Sequence, residues 1–286
     1  MPTVACSDLE PLATGLDHVE GIALAPDGYL YAGGEAGQLY RISIDGTVME
    51  IASLGGICLG IAADAASRIY VCDQTHSVVW RWDPMTGQTE VFSNGDGSRA
   101  LRTPNWGAFD RLGNYYLTDS GDWKQRNGCI WRVEPGGGTR LWNDTCVDFP
   151  NGCALSIDGS RLYVVESTPG RIVAIPIRRD GSAGSRSLVA DLPGSVPDGI
   201  AVAADGSLLI TCYRPDRIYH WSSTSGITVF AEDPDGAILA CPTNLTFAGA
   251  SLEYWIVANL GARHLTKGSG LVGAALSFPS RELLRS

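Results

Sequence analysis

Short apolar runs alternate with turn residues along the whole chain, and one arrangement of them recurs. In its clearest copy, Pro197 and Asp198 lead into the apolar run 199–203, an Asp-Gly turn at Asp205, and a second apolar run at 207–210. An Asp-Gly pair between two such runs is typical of a β-hairpin. The pattern therefore predicts a repeated strand–turn–strand unit.

Counting two looser ones, six copies of this unit occur, beginning near Gly21, Gly60, Gly107, Gly152, Gly199 and Leu245. Their spacing of about 40 to 47 residues is typical of a β-propeller with several strands per blade. In the second copy we predict four strands, at residues 61–63, 69–72, 78–82 and 89–92. No stretch shows an amphipathic helical period. We predict an all-β protein: one six-bladed β-propeller domain spanning residues 1–286, with four antiparallel strands per blade. The alternative is a β-sandwich whose hairpins resemble each other by chance.

The N-terminal segment predicts how the ring closes. Residues 10–14 resemble the fourth strands of other copies, whereas the sixth copy, which starts at Pro242, needs a fourth strand. We expect the N-terminal strand to complete the last blade, pairing with the strand after Asn259. Such closure removes an exposed sheet edge.

Propeller topology predicts where a site lies. The first strand of each blade is innermost, so the residues that head the copies should form a ring at one mouth of the central channel. These residues are Glu20, Leu59, Asn105, Asn151, Asp198 and Asn244. The longest loop around that mouth, residues 120–127, contains Trp123 and is predicted to act as a lid or specificity loop. His18 and His76 lie near the same mouth, either as ordinary exposed histidines or as part of the site.

The ring has the chemistry of a cation site. Carboxylates at Glu20 and Asp198, with amide oxygens from Asn151 and also Asn105, suit a hard divalent cation. We expect Ca²⁺ first, with Mg²⁺, Mn²⁺ or Zn²⁺ as alternatives. The competing interpretation is structural, because Asp and Asn after proline are common turn residues. Asn244 is expected to be structural.

Composition and charge argue against some classes of binding partner. The formal net charge of −10 argues against nucleic acid, whose phosphates would be repelled. No apolar run is long enough for a membrane span, and the N-terminus lacks a secretory leader. The eight cysteines include no C-x-x-C pair, so we expect buried thiols and a cytoplasmic location. The expected partner is a small molecule, bound by a monomer or weak homo-oligomer.

Four segments carry a resemblance: residues 19–21, 104–105, 149–152 and 197–200. With them, the chain resembles the gluconolactonase/regucalcin (senescence marker protein 30) family of six-bladed propellers. The resemblance implies a single divalent cation held by Glu20, Asn151 and Asp198, with Asp198 also as the catalytic acid/base and Asn105 contacting substrate or metal.

The same resemblance indicates which residues are candidate substrate contacts. Sugar-lactone members of the family carry an arginine two residues before the third-blade asparagine, where this chain has Thr103 beside Arg102. Trp106 and Trp123 would suit a less polar or aromatic ester. The candidate contacts are Arg102, Asn105, Trp106, Asp119 and Trp123.

The leading functional hypothesis is a metal-dependent lactonase or esterase. One alternative is a metal-dependent biosynthetic enzyme that cyclises, isomerises or dehydrates a natural product on the same propeller. Another is a non-enzymatic calcium-binding propeller. The chain has no G-x-S-x-G elbow, H-E-x-x-H, P-loop or dinucleotide-binding fingerprint that would favour other chemistry.

Overall fold

Six four-stranded antiparallel sheets make up the fold in the computed structural model, which describes residues 3–280 and 282–285. The first blade contains β2 (Ile22–Leu24), β3 (Leu30–Gly33), β4 (Gln38–Ile42) and β5 (Val48–Ser53). The second contains β6 (Cys58–Ala63), β7 (Ile69–Asp73), β8 (Val78–Trp82) and β9 (Thr89–Ser93). The third contains β10 (Pro104–Phe109), β11 (Tyr115–Asp119), β12 (Cys129–Val133) and β13 (Thr139–Asn143).

The remaining three blades follow the same plan. The fourth contains β14 (Pro150–Leu155), β15 (Arg161–Glu166), β16 (Arg171–Pro176) and β17 (Ser187–Asp191). The fifth contains β18 (Val196–Val202), β19 (Leu208–Arg214), β20 (Arg217–Ser222) and β21 (Gly226–Glu232). The sixth contains β22 (Pro242–Ala248), β23 (Tyr254–Asn259) and β24 (His264–Ser269), with β1 (Glu10–Thr14) as its outer strand. The predicted all-β, six-bladed propeller is confirmed.

The closure of the ring is also as predicted. Strand β1 pairs antiparallel with β24, from Glu10 opposite Lys267 to Thr14 opposite His264. The innermost strands pack against one another in chain order, and β22 of the last blade returns to β2 of the first. The N-terminal strand and the last three strands of the chain therefore share the sixth blade, and its sheet edge is covered.

Aromatic side chains fill the wedges between blades. Between the second and third blades, the Tyr70 ring lies 4.7 Å from Phe92 and 4.8 Å from Phe109 in edge-to-face contacts. All three side chains are buried. Because such rings bury large areas and pack in specific geometries, they fix the angle between neighbouring blades. The inner strands that carry the site are therefore held on a rigid frame.

The channel end opposite the ring is apolar and covered. An apolar cavity of about 210 Å³ lies there, lined by the inner strands and by residues 274–278. That C-terminal segment is tied to the ring of blades: Ala274 N donates to Val202 O at 3.0 Å, and Ala65 N donates to Pro279 O at 3.0 Å. Short 3-10 helices at Cys6–Asp8 and Leu283–Arg285 flank the strands. Within the described residues, neither helix has the length or apolar character to cross a membrane.

Candidate metal centre

The ring residues occupy equivalent positions on the innermost strands. In the second to sixth blades, the register between the first two strands shifts around the residue that heads the copy. An irregularity of this kind bends a strand and redirects a side chain. The residues at these shifts are Leu59, Asn105, Asn151, Asp198 and Asn244, while Glu20 lies just before β2.

The glycine that follows a ring residue lets the next blade approach. A Cβ atom on Gly152 would lie 2.6 Å from the carbonyl oxygen of Asp198, and one on Gly199 would lie 2.5 Å from Oδ1 of Asn244. Real Cβ atoms do not approach other atoms so closely, so only glycine allows these inner strands to converge. The repeated glycine thus brings the ring residues together.

Threonine hydroxyls brace the converging strands. Thr118 Oγ1 accepts from Trp106 N at 3.0 Å and donates to Asn151 O at 2.7 Å, linking the third and fourth blades. Thr211 accepts from Gly199 N at 3.0 Å and donates to the carbonyl oxygen of Thr243. These threonines were not among the residues predicted from the sequence. Their signal is the threonine shared by equivalent positions of the second strands, β11 and β19.

A cavity of about 400 Å³ opens at this mouth. Its volume is in the range of small-molecule sites. The lining residues combine ring members with loop residues: Glu20, Leu59, Gln74, Thr103, Asn105, Trp123, Phe149, Asn151, Ser167, Val196, Asp198, Tyr213, Arg214 and Leu260. The structure therefore brings together Glu20, Asn105, Asn151 and Asp198, the four residues expected to surround the cation.

Three buried amide oxygens in the ring lack a hydrogen-bond partner in the described part of the chain: Oδ1 of Asn105, of Asn151 and of Asn244. The three side chains are no more than 3% exposed. The Nδ2 group of Asn151 donates to Ser167 Oγ at 3.3 Å, which leaves its Oδ1 available. Buried polar atoms are normally paired. Asn105 and Asn151 line the cavity, so their unpaired oxygens are available to a ligand there. Their chemistry fits a hard cation.

The two ring carboxylates favour a positive charge between them. Burial raises the pKa of Glu20 well above its usual range, and the negative charges of Asp198 and Glu35 raise it further. Burial also raises the pKa of Asp198, against the opposing effect of its hydrogen bond with Asn151. Carboxylates in this state are destabilised when ionised, and a bound cation would relieve that penalty.

The composition of the ring distinguishes between metals. The described residues contain no group of three or more His, Cys, Asp and Glu side chains that could hold a metal ion. A cation here would have to be completed by amide oxygens and water. Such an all-oxygen set suits Ca²⁺ rather than tetrahedral structural zinc. The ring residues therefore fit the expected Ca²⁺ ion.

The 120–127 loop reaches this mouth through Trp123. The Trp123 side chain is 45% exposed and lines the cavity, with its ring 4.8 Å from Phe149 in an edge-to-face contact. Salt bridges tie down the loop: Asp122 pairs with Arg102 at 2.5 Å and Arg126 with Asp148 at 2.6 Å. The sequence analysis did not select Phe149 as a wall residue, although it directly precedes the Pro150 of a copy.

Three other candidate substrate contacts lie outside the cavity lining. The Arg102 side chain is exposed and paired with Asp122. The buried Asp119 carboxylate accepts from Arg102 N at 2.9 Å, Thr103 N at 2.8 Å and Trp131 Nε1 at 3.1 Å. Its oxygens are thus used to shape the loop before β10. Trp106 packs between the third and fourth blades and lines the apolar far half of the channel.

The two histidines near the mouth also lie outside the cavity lining. His18 Nδ1 is 3.3 Å from Asp17 Oδ1, and His76 Nδ1 is 2.6 Å from Asp73 Oδ2. Both side chains are partly exposed. Tyr213 and Arg214, which end the second strand of the fifth blade, do line the cavity. They belong to the loops expected around the ring, but nothing in the sequence distinguished them from the other loop residues.

Comparison with known families agrees with this geometry. A family model described as the SMP-30/gluconolactonase/LRE-like region matches residues 19–258. The chain belongs to the SMP-30/gluconolactonase/LRE-like family. The expected family is therefore confirmed, and the match includes all six ring residues.

The chain is similar to two gluconolactonases and shares its fold with a calcium-binding protein. A gluconolactonase from Zymomonas mobilis is 26% identical over 200 residues, which are 63% of this chain and 52% of that protein. The match thus spans about half the length of that relative. A gluconolactonase from Xanthomonas campestris has a similar structure, with TM-score 0.78, 23% identity, and coverage of 91% of this chain and 88% of that one. A calcium-binding protein, regucalcin, from Agrobacterium tumefaciens has TM-score 0.79 and 16% identity over 98% and 100% of the two chains. These two structural likenesses show the shared fold.

Proposed function

We propose that this chain is a divalent-cation-dependent hydrolase that opens a lactone or a related ester. The observation that carries the proposal is the ring itself, where the carboxylates of Glu20 and Asp198 and the unpartnered amide oxygens of Asn105 and Asn151 line one cavity. The gluconolactonase relatives support lactone hydrolysis as the chemistry. In this proposal Glu20, Asn151 and Asp198 hold the cation, with Asn105 as a fourth ligand or a substrate contact.

The cation, when bound, would supply Lewis-acid polarisation of the ester carbonyl and a lower pKa for water. Asp198 is the acid/base of the reaction. Its carboxylate accepts a proton from the attacking water, whose oxygen forms the new bond to the carbonyl carbon. The bond between the carbonyl carbon and the leaving oxygen then breaks, and Asp198 returns the proton to that oxygen.

The chain's other residues position these groups. The amide of Asn244 donates to Asp198 Oδ1, and Ser167 fixes the amide of Asn151. At the ring mouth, Trp123 and Phe149 form an apolar wall. Ca²⁺ is the cation we propose, because its long and irregular bonds to oxygen suit a partly hydrated site.

The experiment is a hydrolysis assay on aldonolactones, simple lactones and aryl esters, with and without chelator. Hydrolysis that chelation abolishes and Ca²⁺ restores is expected. Glu20→Gln should lose both cation binding and turnover. Glu35→Gln is the matched control, because Glu35 is a nearby carboxylate outside the cavity lining and should change both only slightly. Cation binding without hydrolysis of any substrate would instead favour the non-enzymatic calcium-binding alternative, for which the regucalcin structure is a precedent of fold.

A further inference from the structure

Arg214 is the only Lys or Arg among the described residues that line the cavity at the ring mouth. It ends strand β19 of the fifth blade, directly after Tyr213, which lines the same cavity. The protein as a whole is strongly acidic, so a cationic residue at this mouth stands out against its surroundings.

The Arg214 guanidinium has no carboxylate partner. Among the residues that the structure describes, none forms an ion pair with Arg214 within 4.0 Å. The Cζ atom of Arg214 lies 5.4 Å from the centre of the Tyr213 ring. Three other arginines around this mouth differ. Arg102 pairs with Asp122, Arg126 pairs with Asp148, and Arg171 pairs with both Asp148 and Glu166. Arg214 therefore retains its planar set of donors for a ligand.

Aromatic and apolar surface makes up the neighbouring wall. The rings of Trp123 and Phe149 meet edge to face at 4.8 Å and both line the cavity, as do Leu59, Val196 and Leu260. These five side chains offer few hydrogen-bond partners to the hydroxyls of a sugar ring. A planar apolar group would instead bury its faces against these rings.

We propose that the substrate of this cavity is an ester or lactone with an aromatic or similarly apolar body and a carboxylate that Arg214 binds. The inference rests on the proposed function, since it names the substrate class of the same site. The reacting carbonyl lies at the ring of Glu20, Asn151 and Asp198, the apolar body lies against Trp123 and Phe149, and the carboxylate pairs with the guanidinium. An Arg–carboxylate pair of this kind gives both affinity and orientation.

Direct binding tests the inference independently of turnover. The probes are indole-3-propionate and its neutral isostere indole-3-propionamide, titrated calorimetrically into the Ca²⁺-loaded protein. We expect the carboxylate to bind about tenfold more tightly than the amide, as for a charge-assisted hydrogen bond at a partly open site. In Arg214→Gln this preference should disappear. The control is Arg217→Gln, which lies on the same blade but pairs with Glu232 and is absent from the lining, so the preference should remain.

Hydrolysis of a matched pair, monophenyl succinate and phenyl butyrate, tests the proposed hydrolysis separately from the role of Arg214. Faster cleavage of the succinate, with the advantage lost in Arg214→Gln, supports both the proposed hydrolysis and the binding of a substrate carboxylate by Arg214. Equal cleavage of the pair, with equal binding of the two indole probes, overturns the role of Arg214 and leaves the hydrolase intact. If no ester or lactone is cleaved but the probe preference depends on Arg214, the proposed hydrolysis fails while the anion subsite stands.

Discussion

The side-chain amide of Asn244 donates a hydrogen bond of 3.4 Å to Oδ1 of Asp198, across the boundary between the sixth and fifth blades. Asn244 was expected to be a structural turn residue, yet this bond reaches the proposed acid/base directly. A hydrogen bond to the ionised form of a carboxyl group favours that form. Asn244 is therefore a positioning residue for Asp198.

Removing that bond should change both rate and pH dependence. For Asn244→Ala we expect kcat to fall about tenfold or more, because hydrogen bonds to charged groups contribute about 1.5–3 kcal/mol. Without the donor the pKa of Asp198 rises, so the acidic limb of the kcat–pH profile should move to higher pH. Steady-state kinetics from pH 5 to 9 measure both effects. An unchanged profile with a lower Tm would mean that Asn244 acts only in packing.

The close approach at Gly152 gives a second prediction. An added methyl would meet the Asp198 carbonyl oxygen at 2.6 Å, so Gly152→Ala must push the fourth and fifth blades apart. Overpacking of this kind costs about 1–3 kcal/mol. We expect a lower Tm together with weaker Ca²⁺ binding, because Asn151 and Asp198 lie on the two separated strands.

The matched control for that substitution is Gly138→Ala. Its added Cβ would have only Glu134 Oε2 within 4 Å, at 3.8 Å. Thermal unfolding and calorimetry should detect little change in this variant. Normal Ca²⁺ affinity in Gly152→Ala would show that the spacing of these strands does not set the ring.

Trp123 should determine substrate choice without holding the fold together. For Trp123→Ala we expect kcat/KM for aryl esters to fall about five- to tenfold, since an aromatic contact contributes about 0.5–1.5 kcal/mol beyond its buried area. Small aliphatic lactones should be affected less, and Ca²⁺ affinity should stay the same. Leu112→Ala is the control, because this 70% exposed residue lies in a turn at the far end of the blade.

Replacing residues 120–127 by a tight turn should likewise change relative rates between substrates more than it changes stability. Equal losses on every substrate would contradict a role in specificity.

His220 provides a pH prediction away from the ring. Its side chain is 4% exposed, and both ring nitrogens are buried without a hydrogen-bond partner among the described residues. Burial lowers its pKa, opposed by the charge of Asp205. The unfolded chain, with a histidine pKa of about 6.5, then binds the proton more readily than the folded protein. The contribution of neutral His220 to the free energy of unfolding is therefore fully present above this value. It is lost as the pH falls through the pKa that His220 has in the folded protein.

The variant His220→Phe removes the titrating group and keeps an aromatic ring beside Phe230. Its Tm should decrease less than that of the wild type between pH 7.5 and pH 5. Parallel decreases in the two proteins would show that His220 does not contribute to acid sensitivity.

The sequence predicted the strands and the six blades of the propeller well, because each hairpin carries its own turn signal. The predicted second-copy strand at 61–63 is in fact Cys58–Ala63, since the irregular pairing there interrupts the expected alternation. The ring positions followed from the repeat. The loop contacts did not, because they depend on hydrogen bonds that no local pattern reveals.

Asp119 and Trp106 illustrate that limit. Asp119 has the composition of a site residue, but backbone N–H groups and the Trp131 indole occupy its carboxylate. Trp106 is adjacent to Asn105 in sequence, yet it lines the apolar half of the channel while Asn105 lines the ring mouth. Arg214 became distinguishable only when the structure showed which arginine lines the cavity.

The proposed mechanism requires that the ring binds one divalent cation and that Asp198 accepts and returns a proton there. The most direct measurement is calorimetric titration of Ca²⁺ into chelator-treated wild type and Asp198→Asn, with hydrolysis measured on the same samples. We predict one bound Ca²⁺ per wild-type chain, and chelated protein without activity. Asp198→Asn should bind Ca²⁺ more weakly and show no turnover even at saturating Ca²⁺, because the amide keeps a ligand oxygen but cannot accept the proton. Chelated wild type that binds no cation on titration and retains full activity would contradict the account.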